Sequence, residues 1–145
     1  FTADDFALSH PGGALGKKLL LRVMDVAHTK EQIPLVQSDV TISHALVEVS
    51  EKGLGMTGVI DNQGQLIGIF TDGDLRRTLD QRLDFHNTTI AQVMTKQPTV
   101  INGNILAASA LKTMEERNIN GLFIVENGAP IGALNMLDML RAGVV

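Results

Sequence analysis

The chain has 145 residues, of which 44% are hydrophobic and 19% charged, with a net charge of -4 and no cysteine. That balance describes a globular core without a disulfide framework or thiolate chemistry, and without the broad basic surface that nucleic acid requires. No apolar run approaches the roughly 20 residues that cross a bilayer, so no transmembrane helix is expected.

The chain begins at Phe1 rather than Met, and no signal peptide is legible. A segment of a longer cytoplasmic protein is therefore expected. Asp4-Asp5-Phe6-Ala7-Leu8 reads as a helical turn, and SHPGGALGKK follows from Ser9 to Lys18. Its glycines and Gly-Lys pair have the look of a phosphate loop, but G-x-x-x-x-G-K-[ST] is not met. Pro11 stands where the first glycine belongs, Lys18 stands where Ser or Thr belongs, and no strand precedes it. Pro-Gly-Gly reads as an irregular linker, which leaves His10 without a role.

An internal duplication organises the rest. Ile42, Ala45, Leu46 and Val49 fall at helical spacing, and so do Ala107, Ala110, Leu111 and Met114, 65 positions later. Gly53 and Asn118 stand at the matching ends, where a left-handed cap stops a helix. Next come apolar runs at Gly58-Val59-Ile60 and Phe123-Ile124-Val125, then turns at Asp61 to Gly64 and Glu126 to Gly128. Second strands run from Gln65 to Phe70 and from Pro130 to Leu134, and Thr71 and Asn135 open further helices as N-caps. Val23-Met24 pairs with Val93-Met94 at a wider offset, so the first copy carries a longer loop around His28 to Gln32.

Each copy thus reads as strand, helix, strand, strand, helix. At about 55 to 60 residues, one copy buries too little surface to stand comfortably alone. Two copies packed face to face predict one α/β (α+β) unit with pseudo-two-fold symmetry and a cleft between the halves.

Thr71-x-x-Asp74 is a capping box, in which Thr caps the helix and Asp reaches back. Such residues belong at a helix start with no ligand present. The same helix start also attracts phosphate through its free N–H groups and dipole. Asp74 would then read ribose hydroxyls, and Arg76 or Arg77 would neutralise phosphate. The residues alone leave both readings open. His28, His44 and His86 show no metal-ligand spacing, so no metal and no cofactor are expected. The methionines read as packing.

The run Gly68 to Leu75 resembles the signature of a CBS domain: glycine in a strand, then Thr or Ser, two residues, and Asp. Gly68, Thr71 and Asp74 carry it in the first copy. Gly132, Asn135 and Asp138 correspond in the second, with Asn where the family has Thr or Ser. The resemblance covers Val23 to Val145 and implies tandem CBS repeats, or a Bateman module, with copies at 23–84 and 85–145 after a linker at 1–22. The run Asp5 to Leu20, Lys52 to Thr57, and the closing Leu140 to Val145 resemble bacterial D-arabinose 5-phosphate isomerases. In those proteins a sugar-isomerase (SIS) domain precedes a CBS pair.

The resemblance implies a regulatory module of an enzyme that interconverts ribulose 5-phosphate and arabinose 5-phosphate, on the route to Kdo of lipopolysaccharide. His10 would then serve the isomerase site of the longer protein in ring opening or proton transfer, which suits imidazole. This segment alone would be catalytically silent. The expected effector is nucleotide-bearing, CMP-Kdo or CMP. Its ligands would be Thr71, Asp74, Arg76, Arg77, Asn135 and Asp138, with the base against Ile33, Pro34, Met56, Thr57 or Leu122. A homo-oligomer is expected, a dimer of CBS pairs and a tetramer in the longer enzyme, with no nucleic-acid or membrane partner. A purely structural dimerisation module and an adenylate energy sensor are the alternatives.

Overall fold

The computed structural model describes residues 20–144. The helical turn at Asp4 to Leu8, His10 and nearly all of the 1–22 linker lie outside the described residues.

Five α-helices and seven strands follow in chain order among the described residues: α1 (Val23–Val26), β1 (Leu35–Gln37), α2 (Ile42–Lys52), β2 (Met56–Ile60), β3 (Leu66–Thr71), α3 (Asp72–Asp80), β4 (Thr95–Lys96), β5 (Val100–Asn102), α4 (Ala107–Arg117), β6 (Gly121–Glu126), β7 (Ala129–Asn135) and α5 (Met136–Arg141). Short 3₁₀ turns at Lys30–Gln32 and Ile90–Gln92 precede each copy's first strand. The strand, helix, strand, strand, helix order from β1 to α3 and from β5 to α5 is the one the sequence pattern predicts, while α1 and β4 are additions that it does not.

Local chemistry accounts for the boundaries. Thr41 caps α2, its hydroxyl accepting from the His44 N–H at 3.2 Å. The helix then stops at Gly53, whose φ of 72° is left-handed. Asn118, with φ 55°, ends α4 in the same way. The N-cap of α4 is Leu106, which has no capping side chain. Instead the Ala107 N–H donates to the Leu21 carbonyl at 2.7 Å, so a distant segment satisfies that end.

Two sheets result. The first has the order β1-β2-β3-β4 and the second β5-β6-β7. In each, the first pair is parallel (Leu35 beside Gly58, Val100 beside Phe123) and the second antiparallel (Met56 beside Thr71, Gly121 beside Asn135). Each hairpin carries an irregularity at the equivalent place, Val59/Ile60 and Ile124/Val125.

The sequence copies and the spatial halves are not the same. Val23, at the head of the first copy, is fully buried with Ala107, Ala110, Met114, Leu122, Ile124, Leu134 and Met139 of the second. Ile90, ahead of the second copy's first strand, is fully buried with Val36, Ile42, Ala45, Val59 and Phe70 of the first. The exchange extends to the sheets. Thr95 pairs with Ile69 on the outer edge of β3, and His28 bridges Ala133 on the outer edge of β7. A third cluster joins the halves: Ile33, Leu54 and Met56 pack on Phe123 and Ala133. Each buried side chain of this size contributes about 1.5–3 kcal/mol. The halves are therefore held by crossed lead segments as well as by facing sheets.

Candidate functional site

Strands β3 and β7 both end at a helix start, and the fold brings those starts to one open cavity. Thr71, the last residue of β3, accepts from the Asp74 N–H at 3.2 Å. Asp74 reaches back, its Oδ2 accepting from the Thr71 N–H at 2.9 Å and from the Thr71 hydroxyl at 3.1 Å. Asn135 and Asp138 repeat the reciprocal cap on α5, with both backbone contacts at 2.8–2.9 Å. The capping boxes read from the sequence are both present.

The cavity measures about 560 Å³, within the range that holds a small ligand. The first-copy wall is Leu54, Gly55, Met56, Ile69 and the start of α3 (Thr71, Asp72, Gly73, Arg77). The second-copy wall is Asn118 to Gly121 and the start of α5 (Asn135, Met136, Leu137), and the connection at Thr95, Gln97, Pro98 and Thr99 closes one end. At the start of α3 the Asp72 N–H is taken by the Gly55 carbonyl at 3.2 Å, and the Asp74 N–H by Thr71. The Gly73 N–H has no partner among the described residues. Among the described residues, Arg77 is the sole cation on the lining and Asp72 the sole carboxylate. The Arg77 guanidinium pairs with Asp74 Oδ1 and remains mostly exposed. Gln97 holds a left-handed φ of 52°, a conformation that costs a non-glycine residue on the order of 1 kcal/mol.

Of the residues expected at a ligand, the structure brings Met56, Thr71, Arg77 and Asn135 onto this one cavity. The others lie elsewhere. Asp74 is 5% exposed, and both carboxylate oxygens are engaged. Asp138 is likewise occupied, by Asn135 and by His28. Arg76 is exposed off the lining. Thr57 is fully buried, its hydroxyl donating to the Gly58 carbonyl at 3.0 Å. Strand alternation is the reason: Met56 and Thr57 sit on opposite faces, so both cannot face the cleft. Leu122 is in the second-half core. Ile33 is packed between the halves, and Pro34 is buried beside it. Sequence reasoning missed the amide-bearing side, Gln97, Asn118 and Asn120. The positive φ at Asn118 was legible as a helix stop, but its place on the cavity depends on the docking of the halves. No group of three or more His, Cys, Asp or Glu that could hold a metal occurs among the described residues.

The two halves differ where symmetry would place a second cavity. Its counterparts to Thr95, Pro98, Thr99 and Ile69 are His28, Ile33, Pro34 and Ala133. Ile33 and Ala133 are buried against Met56 and Phe123. The Met56 side chain also covers Gly121, where an added Cβ would meet its sulfur at 2.5 Å.

Comparison with known proteins agrees with this architecture. The family model described as CBS domain matches residues 23–81 and 90–145. The arabinose 5-phosphate isomerase KdsD of Pseudomonas aeruginosa is 55% identical over 146 residues, covering 100% of this chain and 45% of that protein. The KdsD of Yersinia pestis is 50% identical over 145 residues, covering 100% and 44%. The chain thus spans less than half the length of these relatives. Among solved structures, the CBS domain pair of protein MJ0100 in complex with 5'-methylthioadenosine and S-adenosyl-L-methionine aligns with a TM-score of 0.74 at 21% identity, over 83% of this chain and 97% of that one. CBSX2 in complex with AMP aligns with a TM-score of 0.72 at 23% identity, over 86% and 96%. The described elements, their duplicated topology and these matches lead to one statement: this chain belongs to the CBS-domain family, as a tandem pair of CBS domains.

Proposed function

We propose that this CBS pair is the regulatory, ligand-binding part of an arabinose 5-phosphate isomerase, and that it senses a nucleotide-bearing effector, CMP-Kdo or its CMP fragment. The observation that carries the reading is a cavity on which the start of α3, the Arg77 guanidinium and the Gly73 N–H, unpaired among the described residues, converge. A phosphate there meets an N–H, the positive end of a 9-residue helix and a guanidinium together. The nucleoside lies along Met56 and Ile69. Of the solved structures with this fold, CBSX2 is in complex with AMP and the MJ0100 pair with 5'-methylthioadenosine and S-adenosyl-L-methionine, which supports a nucleoside-bearing ligand without choosing the base. The choice of CMP-Kdo rests on metabolic logic: the activated sugar lies downstream of arabinose 5-phosphate, and an early enzyme needs its level.

Control of this kind requires that the effector bind two states of the enzyme with different affinity. Catalysis resides in the longer cytoplasmic protein. By resemblance His10 serves it as a proton-transfer group, and His10→Ala in the full-length enzyme should cut turnover about 100-fold while leaving effector binding unchanged.

A ligand panel read by thermal shift tests the reading. At about 100 times Kd, linkage adds about 2.7 kcal/mol, or roughly 5 to 10 °C for a chain of this size. CMP-Kdo should give such a shift, and AMP and ATP less. A larger response to adenylates replaces this reading with an energy sensor. No response to any of them leaves a structural dimerisation module.

A further inference from the structure

We propose that Asn135 is a tie across the cleft: through the segment Leu54–Gly55 it couples the start of α5 to the start of α3, so that the two helix starts move as one unit. The tie belongs to the ligand-free chain and stands whether or not a nucleotide occupies the cleft.

Two successive carbonyls of the first copy are taken by the two helix starts. The Gly55 carbonyl accepts from the Asp72 N–H of α3 at 3.2 Å. The Leu54 carbonyl accepts from the Asn135 side-chain amide at 3.5 Å, 81 positions away and in the other half. The segment that carries both carbonyls is held in place. Leu54 is 8% exposed and packs with Phe123 and Ala133 of the second copy. Left-handed glycines flank it, Gly53 at φ 72° and Gly55 at φ 73°.

The amide is aimed by the cap. Asn135 Oδ1 accepts from the Asp138 N–H at 2.9 Å, which leaves Nδ2 to face Leu54. The shorter hydroxyl of Thr71, at the equivalent place in the first copy, accepts from the Asp74 N–H at 3.2 Å and donates back to Asp74 Oδ2 at 3.1 Å. It makes no contact with Ile119, the counterpart of Leu54, among the described residues. Met136 N–H does donate to the Asn120 carbonyl at 2.9 Å, the counterpart of the Asp72 contact. Each helix start is thus held by its own copy, and the start of α5 is held by the other copy as well. The tie joins elements with separate surfaces. The start of α3 lines the cavity with Arg77, and α5 carries the exposed Leu137 and Leu140. A shift at the cavity wall is therefore passed to a face outside it. Such coupling is reciprocal, so it is readable from the α5 end.

Hydrogen exchange of the Asp72 amide, followed by NMR in the ligand-free chain, is that reading. Asn135→Ser keeps an N-cap of equal quality and removes the amide, whereas Asn135→Ala removes both. In both variants the Asp72 amide should exchange about fivefold or more faster, the weight of one hydrogen bond. In Asn135→Ser the melting temperature and the exchange of the β3 amides should stay as in the unmodified chain, while Asn135→Ala melts lower. An Asp72 amide indifferent to Asn135→Ser overturns the tie and leaves Asn135 a cap alone. So does acceleration spread evenly over β3 and α3, which is a loss of global stability. Asn135→Thr, which supplies the side chain of Thr71, carries the same expectation and the same two overturning outcomes if Asn135→Ser does not fold.

Discussion

His28 and Asp138, 110 positions apart, meet with Nε2 and Oδ1 separated by 2.9 Å. In the other half the Thr95 hydroxyl donates to Asp74 Oδ1, also at 2.9 Å. The two contacts are equivalents across the pseudo-two-fold axis. In each, the lead segment of one copy reaches the capping carboxylate of the other, so the crossed segments are pinned at the helix starts. His28 makes its contact with the side chain about one-third exposed. His28→Ala should therefore cost about 1 kcal/mol, the net worth of such a hydrogen bond, or about 2–4 °C in melting temperature. A variant that melts with the unmodified chain would show that the contact does not hold the halves.

Asp74 has a heavier role. It is buried and accepts from Thr71, Thr95 and Arg77. Asp74→Ala should cost about 2–4 kcal/mol, because the change removes a buried cap and strands the partners that faced it. Any loss of ligand response in that variant is then mostly a loss of the helix start. Chemical denaturation without ligand decides this. Unaltered stability would return Asp74 to direct ribose contact.

Gly73 separates the cap from the ligand more cleanly. A Cβ there would stand 3.6 Å from Thr71 Oγ1 and 3.9 Å from Arg77 Nη1, ordinary contact distances. The empty fold therefore tolerates alanine, and Gly73→Ala should stabilise it by up to about 1 kcal/mol. A phosphate drawn to the Gly73 N–H would meet the added methyl, so affinity for CMP should fall at least tenfold. A variant that is stable and still binds as before would remove the phosphate from this helix start.

Much of the fold was legible in the sequence, because it is encoded locally. Thr71 and Asn135 announce helix starts, Gly53 and Asn118 announce stops, and the 65-residue spacing repeats the plan. The exchange of Val23 and Ile90 was not legible, since either apolar residue would fill a core in its own copy as well as in the other. The site was half legible for the same reason. Thr71 and Arg77 follow from the helix start, but the lining from Gln97, Asn118 and Asn120 exists only once the halves are docked. Ile33 and Leu122 are apolar and near the right strands. Periodicity does not reveal whether such residues line a cleft or fill a core.

Association of two chains is expected through α3 and α5. Leu79 is 57% exposed, Leu137 46% and Leu140 57%. Leu75 and Met136, on the same two helices, are partly buried against the two cores. The three exposed leucines leave apolar side chains of both helices open to a partner. Light scattering should give a dimer, and Leu79→Glu with Leu140→Glu should give a monomer that keeps its fold. A strict monomer at every concentration of the unmodified chain would contradict this.

The same asymmetry that separates His28 from Thr95 sets the expected stoichiometry. A second ligand, placed by symmetry against α5, would need the space that Ile33, Met56 and Ala133 occupy. Ile33 is 6% exposed, Met56 2% and Ala133 not at all, so opening that space breaks the contact between the halves. The site at α3 has no such plug, because Thr95, Pro98 and Thr99 stand back and leave a cavity. The second helix start also lacks the guanidinium, since Arg141 is absent from the lining where Arg77 is present. One ligand per chain is therefore expected. Calorimetric titration with CMP should saturate at one equivalent. Arg77→Ala should weaken that single event about 10- to 100-fold, the range for a charge-assisted contact to phosphate. Saturation at two equivalents, or one event indifferent to Arg77, would move the ligand to the α5 side and require Ile33 to leave its place between the sheets.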